Sequence, residues 1–378
     1  MKAGIIGCGN ITLNDHAPAL KSLDGVRVTA IADPVEARRG KAQALLDLPD
    51  SACFADHRAL LDSQVDYVTL TVPQQFRRPI VEDCARAGVH VLSEKPIATV
   101  PADAHDMIRS MRSANLRYGM VHNYLFYPEY ALAKELIDSS AIGTLRHVTL
   151  NFLGMPDHPG AAEYRPLWRK DPVEAGGGIL MDMVHAMYLA EFFFDGPSRA
   201  ASAIVDNLDH PGEAVEDFAL VDYVFDTGYA TVNMWWGEGP GGLEIGGTRG
   251  RILAFYDDYT TGPFTRLASF TLVNREGRRE FQPRAERRTI ENFVRVHSDF
   301  IEAIRDSRDP IAPAEAGLRA LEAALAAYAS GATGRALPLP FSHDDPIFQH
   351  GVMGLRQLPL WAAGPVARRG LFGVPVAG

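Results

Sequence analysis

Lys2–Thr12 reads KAGIIGCGNIT and Val26–Asp33 reads VRVTAIAD. Lys2–Ile6 has the apolar run of a short, wholly buried strand. The turn Gly7-Cys8-Gly9-Asn10-Ile11-Thr12 follows and leads into a helix expected through Ala17–Ser22. A second apolar strand, Val26–Ala32, ends on Asp33. Strand, glycine turn, helix N-terminus, strand and acid, in that order, is the layout that cradles a dinucleotide. Gly7 permits the tight turn, Gly9 lets the backbone approach a pyrophosphate, and Asn10 and Ile11 complete the loop. Thr12 stands where the fingerprint places a third glycine. Asp33 can accept from both ribose hydroxyls and repels a 2′-phosphate, which favours NAD over NADP. Arg38 and Arg39, a little downstream, keep NADP open.

The alternation continues through the first third of the chain. Val65–Val72 is a strand that stops at Pro73, Pro79–Ala87 a helix closed by Gly88, and Val89–Leu92 the next strand. The helix Ala102–Asn115 and the strand Arg117–Val121 complete a doubly wound α/β unit, with a parallel sheet. Ligands of such sheets sit beyond the carboxyl ends of the strands. Those ends carry Gly7–Thr12, Asp33, Thr71, Pro73–Gln74, Glu94–Pro96 and His122–Asn123. Thr71, Pro73, Glu94 and Lys95 are therefore expected to touch the cofactor, and His122, Asn123 and Tyr124 the substrate. Lys95, pinned by Pro96, can donate to a substrate hydroxyl.

A second stretch carries the acid–base chemistry. Ala175–Ala190 reads AGGGILMDMVHAMYLA, three glycines running into a segment of helix length. Leu180, Met183, Val184, Met187 and Tyr188 recur with the period of one helical face. Asp182 and His185, three apart, share the other side with Ala186 and Leu189. A surface helix would carry charge there, so both sides are expected to be covered. This places a carboxylate and an imidazole on an enclosed space, as a proton-transfer pair or as a buried brace of the fold.

The 378 residues suffice for two domains with cores of their own. The formal charge of −10 argues against a nucleic-acid binder. The three cysteines, Cys8, Cys53 and Cys84, fit neither a disulfide framework nor a zinc site, so no metal is expected and the cytoplasm is the simple location. The chain starts directly on a strand pattern, without the features of a signal peptide, and no apolar run approaches the roughly 20 residues that span a bilayer.

Several segments together resemble one family. HVLSEKP at His90–Pro96 is similar to the HVxxEKP signature of the Gfo/Idh/MocA oxidoreductases, and GGGILMDMVH at Gly176–His185 to their GGGxLxDxGxH segment. VTLTVPQQ at Val68–Gln75, AIGTL at Ala141–Leu145 and IGGTRGRI at Ile245–Ile252 add to the resemblance, which spans about residues 1–339. It implies an N-terminal Rossmann domain, taken as 1–122, and a C-terminal α+β domain, 123–340, whose large, open, mostly antiparallel sheet is covered by helices on one face. Residues 341–378 form an apolar, proline-rich extension expected to be ordered. The resemblance further implies hydride transfer between a nicotinamide and a sugar, cyclitol or related carbinol, with Lys95, Asp182 and His185 as catalytic residues. Subunits are expected to pair through the sheet as a homodimer or homotetramer. The chain departs from the family pattern in the three-residue Asp182–His185 spacing, in Gln74 and Arg77 within the strand-end motif, and in Leu125. Those changes are expected to bear on the substrate.

Within the second half, Gly154–Glu174 is rich in proline, glycine and aromatic residues and forms a natural wall for a hydroxylated ligand. Its candidates are His158 and Trp168, the latter able to stack on a sugar ring. The strand-like runs from Arg199 to Val273 make up the antiparallel sheet. The expected activity is a dehydrogenase acting on a secondary hydroxyl of a sugar, cyclitol or glycoside such as an aminoglycoside. Two other readings stay open: a glycoside-cleaving enzyme that recycles its NAD, and a nucleotide-sensing regulator without catalysis.

Overall fold

The computed structural model describes residues 1–157, 167–256, 267–282 and 289–359. The chain forms two compact units. The first comprises Met1–Asn123, Pro159–Arg169 and Arg288–Leu318, and the second Tyr124–His158, Lys170–Arg287 and Arg319–Gly378.

In the first unit, six strands form one parallel sheet: β1 (Lys2–Ile6), β2 (Arg27–Ala32), β3 (Cys53–Phe54), β4 (Tyr67–Leu70), β5 (His90–Ser93) and β6 (Tyr118–Met120). Their order is β3-β2-β1-β4-β5-β6, so the direction of winding reverses between β1 and β4. That reversal opens a crevice above the carboxyl end of β1. The strands read as continuous apolar runs because helices cover both faces. β3 is a two-residue edge strand with no sequence signal of its own. The helix Thr289–Arg305 also belongs to this unit, and its Phe300 packs against Gly119 of β6, where any side chain would collide with the ring.

The second unit is built on nine strands: β7 (Leu145–Leu153), β8 (Ala200–Asp206), β9 (Phe218–Val224), β10 (Tyr229–Trp235), β11 (Gly241–Gly247), β12 (Gly250–Tyr256), β13 (Leu267–Asn274), β14 (Gly277–Phe281) and β15 (Leu337–Pro338). Their order is β14-β13-β12-β11-β7-β10-β9-β8-β15. All neighbours are antiparallel except β7 and β10, which run parallel. The central strands β9 and β10 alternate strictly. Val148, Leu150, Val221, Val232 and Ile252 are buried, while Ile204, Val224, Tyr229 and Phe255 stand about half exposed on the other face. The helices Ile179–Asp182 and His185–Phe194 belong to the same unit, as does the helix Ala314–Thr333 from Arg319 on, and most of their apolar residues are buried.

The expectation of one helix across Ala175–Ala190 needs correction. Pro172–Ala175 and Ile179–Asp182 are separate single turns, and a new helix starts at His185 with its axis bent by 49°. Every residue from Ile179 to Ala190 except Asp182 is buried. No single helix among the described residues is long and apolar enough to cross a membrane. Of the C-terminal extension, a short helix at Pro346–His350 and a turn at Gly351–Gln357 are described, and 360–378 lie outside the described residues.

Candidate active site

The glycine loop lies at the crevice of the first unit. Gly7 has φ +101°, and a Cβ on it would meet Thr71 Oγ1 at 2.6 Å. Nothing lies within 4 Å of a Cβ built on Gly9, so a ligand can reach its backbone. Helical backbone begins at Asn10, earlier than the sequence pattern suggests, and widens into a π-turn over Thr12–His16. Thr12 explains the missing third glycine. It is fully buried and its hydroxyl bonds Gly7 O at 2.7 Å and Thr71 Oγ1 at 2.8 Å. Thr71 Oγ1 also reaches Gly7 O, at 2.7 Å, so two hydroxyls secure the loop.

Asp33 closes one side of this crevice. Its Oδ2 accepts from Cys8 N and its Oδ1 from Val35 N, both at 2.8 Å, which fixes the carboxylate plane. Arg39 turns away from the carboxylate and donates to the Asp33 carbonyl at 2.6 Å. Gly7, Gly9, Asp33, Arg38, Thr71 and Pro73 all line one cleft of about 310 Å³. Asn10 and Ile11 stand beside it, in the first turn of the helix. Cys8 is buried under the loop, and burial followed by the charge of Asp33 pushes its thiol far above the ordinary range. It is a packing residue, not a nucleophile.

Lys95 follows β5 at the same edge of the sheet and is half-buried. Its backbone is held from below by Arg77, whose guanidinium is buried and donates to the carbonyls of Val72 at 3.0 Å, Glu94 and Pro96. Burial pulls that guanidinium down to about 10, which leaves it charged at neutral pH. The departure at Arg77 therefore supports the Lys95 loop instead of facing a substrate. Glu94 is buried, with His16 Nε2 3.0 Å from its Oε1. His122 and Asn123, after β6, are buried in the same unit.

Two of the three glycines ahead of Asp182 are explained by what packs on them. A Cβ on Gly177 would lie 2.0 Å from the Tyr328 hydroxyl, and one on Gly178 2.0 Å from the Glu216 carbonyl. Glu216 is fully buried. It accepts from Gly178 N and Leu180 N, each at 2.9 Å, and from the Tyr328 hydroxyl at 2.7 Å. One carboxylate thus caps the turn that carries Asp182. Sequence reasoning passed over Glu216 and Tyr328, whose only signal is an acid opening a strand and a tyrosine in an alanine-rich helix.

Asp182 and His185 sit on separate helices and acquire different partners. Asp182 Oδ2 accepts from Trp236 Nε1 at 3.4 Å. His185 is stacked on Tyr124 at 3.8 Å between ring centres, and its Nδ1 pairs with the Tyr188 hydroxyl at 2.5 Å. That hydroxyl also accepts the Tyr124 backbone N–H at 3.2 Å. Lys170 Nζ stands 4.5 Å over the Trp236 ring and forms ion pairs of 2.6 Å with Asp157 and Glu213. Trp168 carries the Arg169 guanidinium over its own ring at 5.2 Å. His158 lies outside the described residues.

Residues 1–122 match the model of an oxidoreductase family with an NAD-binding Rossmann fold, and residues 130–253 the C-terminal domain of the same family. The chain belongs to the Gfo/Idh/MocA family. Among curated relatives, a dTDP-3,4-didehydro-2,6-dideoxy-alpha-D-glucose 3-reductase of Streptomyces violaceoruber is 29% identical over 209 residues, 54% of this chain and 58% of that protein. Over the first matched relatives the chain thus spans little more than half their length. A 1,5-anhydro-D-fructose reductase of Ensifer adhaerens is 26% identical over 88% of this chain and 97% of its own length. Among solved structures, an aldose-aldose oxidoreductase from Caulobacter crescentus complexed with glycerol superposes with a TM-score of 0.78 at 22% identity, covering 90% of this chain and 99% of that one. A levoglucosan dehydrogenase in complex with NADH and levoglucosan gives 0.77 at 20% identity, covering 90% of this chain and all of its own. These likenesses bear out the two-sheet Gfo/Idh/MocA fold.

Proposed function

We propose that this protein is an NAD(P)-dependent oxidoreductase interconverting a secondary alcohol and a ketone on a sugar, cyclitol or related polyhydroxylated molecule, with NAD preferred over NADP. The cleft at Gly7, Gly9 and Asp33 carries the proposal. Its residues fit a dinucleotide: Gly9 leaves its backbone open, and Asp33 keeps lone pairs for ribose hydroxyls on a carboxylate already fixed by two amides. When bound, the dinucleotide supplies the hydride acceptor or donor. The sugar reductases and dehydrogenases among the relatives support the substrate class.

The chain's own groups take the proton and the orientation. Lys95 donates to the substrate oxygen from a backbone held by Arg77. With its Nδ1 paired to the Tyr188 hydroxyl, His185 works at Nε2, taking the hydroxyl proton in oxidation and returning it in reduction. Asp182, oriented by Trp236, holds the same hydroxyl. His122, Asn123 and Tyr124 shape the substrate end, with Trp168 as a stacking wall. The half-exposed apolar residues Ile204, Val224, Tyr229 and Phe255 suit a subunit interface on the open sheet face.

A panel of sugars, inositols and aminoglycosides offered with NAD and with NADP, read by absorbance of the reduced nicotinamide, tests the activity. Lys95→Met and His185→Asn should each lower kcat by roughly 10²–10⁴ while NADH affinity holds. Full turnover in both variants would end this assignment of roles.

A further inference from the structure

Beneath Lys95 runs a buried hydrogen-bond chain that the chemistry above does not use. Glu94 Oε2 accepts the backbone N–H of Lys95 at 3.1 Å, and Glu94 Oε1 lies 3.0 Å from His16 Nε2. His16 Nδ1 lies 3.0 Å from Nε2 of His297, which stands on the helix Thr289–Arg305. Both imidazoles are 0% exposed. Phe293, one turn before His297, meets the His16 ring edge-on at 4.8 Å and fixes its plane.

The proton positions follow from the partners. Burial and the neighbouring His16 hold His297 well below the ordinary histidine range, so it is neutral and carries one N–H. Its Nδ1 is buried with no hydrogen-bond partner among the described residues. An orphaned buried N–H costs more than an orphaned lone pair, so the proton sits on Nε2 and is donated to His16 Nδ1. His16 accepts there and carries its own proton on Nε2, donated to Glu94. Burial alone would push the Glu94 carboxyl up, but the neighbouring His16, by hydrogen bond and by electrostatics, and then Lys95 and Arg77 hold it below the usual range, so it stays ionised and accepts on both oxygens.

We propose that His297 is a positioning residue for Lys95. By donating to His16 it selects one His16 tautomer, and that tautomer turns the Glu94 carboxylate onto the Lys95 amide. A helix from the last quarter of the chain thereby sets the loop at the end of β5. Arg77 grips the carbonyls on either side of Lys95, and the histidine pair fixes the intervening N–H. The proposal rests on the reading of Lys95 as a catalytic group, and its test separates the two.

Long-range ¹H–¹⁵N spectra of the full chain near neutral pH, labelled at histidine, read the tautomers directly. Both rings are expected neutral with the proton on Nε2. A doubly protonated His16, or one with its proton on Nδ1, overturns the proposal without any variant. His297→Leu removes the donor, whereas the side-chain amide of His297→Gln restores an N–H near the place of Nε2. Amide exchange of a peptide containing Lys95 should quicken about tenfold in the Leu variant and return toward wild type in the Gln variant. With the alcohol found in the screen, the Leu variant should lose about tenfold in kcat with KM and NADH affinity unchanged, and the Gln variant should recover it. Wild-type exchange and turnover in His297→Leu refute positioning. If Lys95→Met stays active while the tautomers and exchange behave as described, the catalytic reading of Lys95 fails and the network stands.

Discussion

Replacing Glu216 with Gln tests how the glycine turn ahead of Asp182 is held. Burial pushes this carboxyl up to about 7 from an ordinary 4.5, against the pull of its Tyr328, Leu180 and Gly178 donors. The folded state thus binds this proton more tightly than the unfolded state does. The resulting stabilisation is fully present below about 4.5 and is lost as pH rises through about 7. The rise from 4.5 to about 7, at about 1.36 kcal/mol per pH unit, amounts to ~3 kcal/mol, most of which falls between about pH 5 and about pH 8. Gln cannot titrate. Its NH2 also faces one of the two backbone N–H groups, at a cost of about 1–3 kcal/mol at any pH. Urea unfolding followed by far-UV circular dichroism measures both proteins at the two pH values. Other titrating groups, among them Glu322, cancel in the difference between the curves. The stability advantage of wild type over Glu216→Gln should shrink by about 2–3 kcal/mol from about pH 5 to about pH 8. A pH-independent difference, or one that grows with pH, would refute the reasoning.

Three further outcomes follow from the geometry. Gly178→Ala drives a methyl group into the Glu216 carbonyl and should cost about 3 kcal/mol or more by the same urea measurement, because backbone, not a flexible side chain, has to move. Arg77→Met leaves the carbonyls of Val72, Glu94 and Pro96 without their donor and should lower stability by about 2–4 kcal/mol, whereas Arg77→Lys should recover only part of it. Asp33→Asn keeps the loop shape but removes the charge. Titration by nicotinamide fluorescence should show NADH binding weakened about tenfold and NADPH binding strengthened, and an unchanged preference would remove Asp33 from cofactor choice.

The sequence by itself determined the parts that depend on neighbours along the chain. Lys2–Asp33 announced the first parallel crossover, since apolar runs, a GxG turn and a strand-end acid are local signals. Strand-like runs separated by turn residues announced the sheet of the second unit, and one covered face imposes alternation on strands such as β9 and β10. Lys95 could be singled out from its place at a strand end before a proline. Tertiary structure decided what local pattern could not carry. The apolar spacing of Ala175–Ala190 suits a continuous helix, yet contacts from Glu216 and Tyr328, distant in sequence, accompany a turn at the glycines, and the chain bends again before His185. The sequence marks Thr12 and Arg77 only as departures from a pattern, and His16 not at all. Their roles come from carbonyls, a carboxylate and a second imidazole supplied by other elements, up to 281 positions away. Buried polar groups are matched in space, and periodicity along one element holds no record of the partner on another.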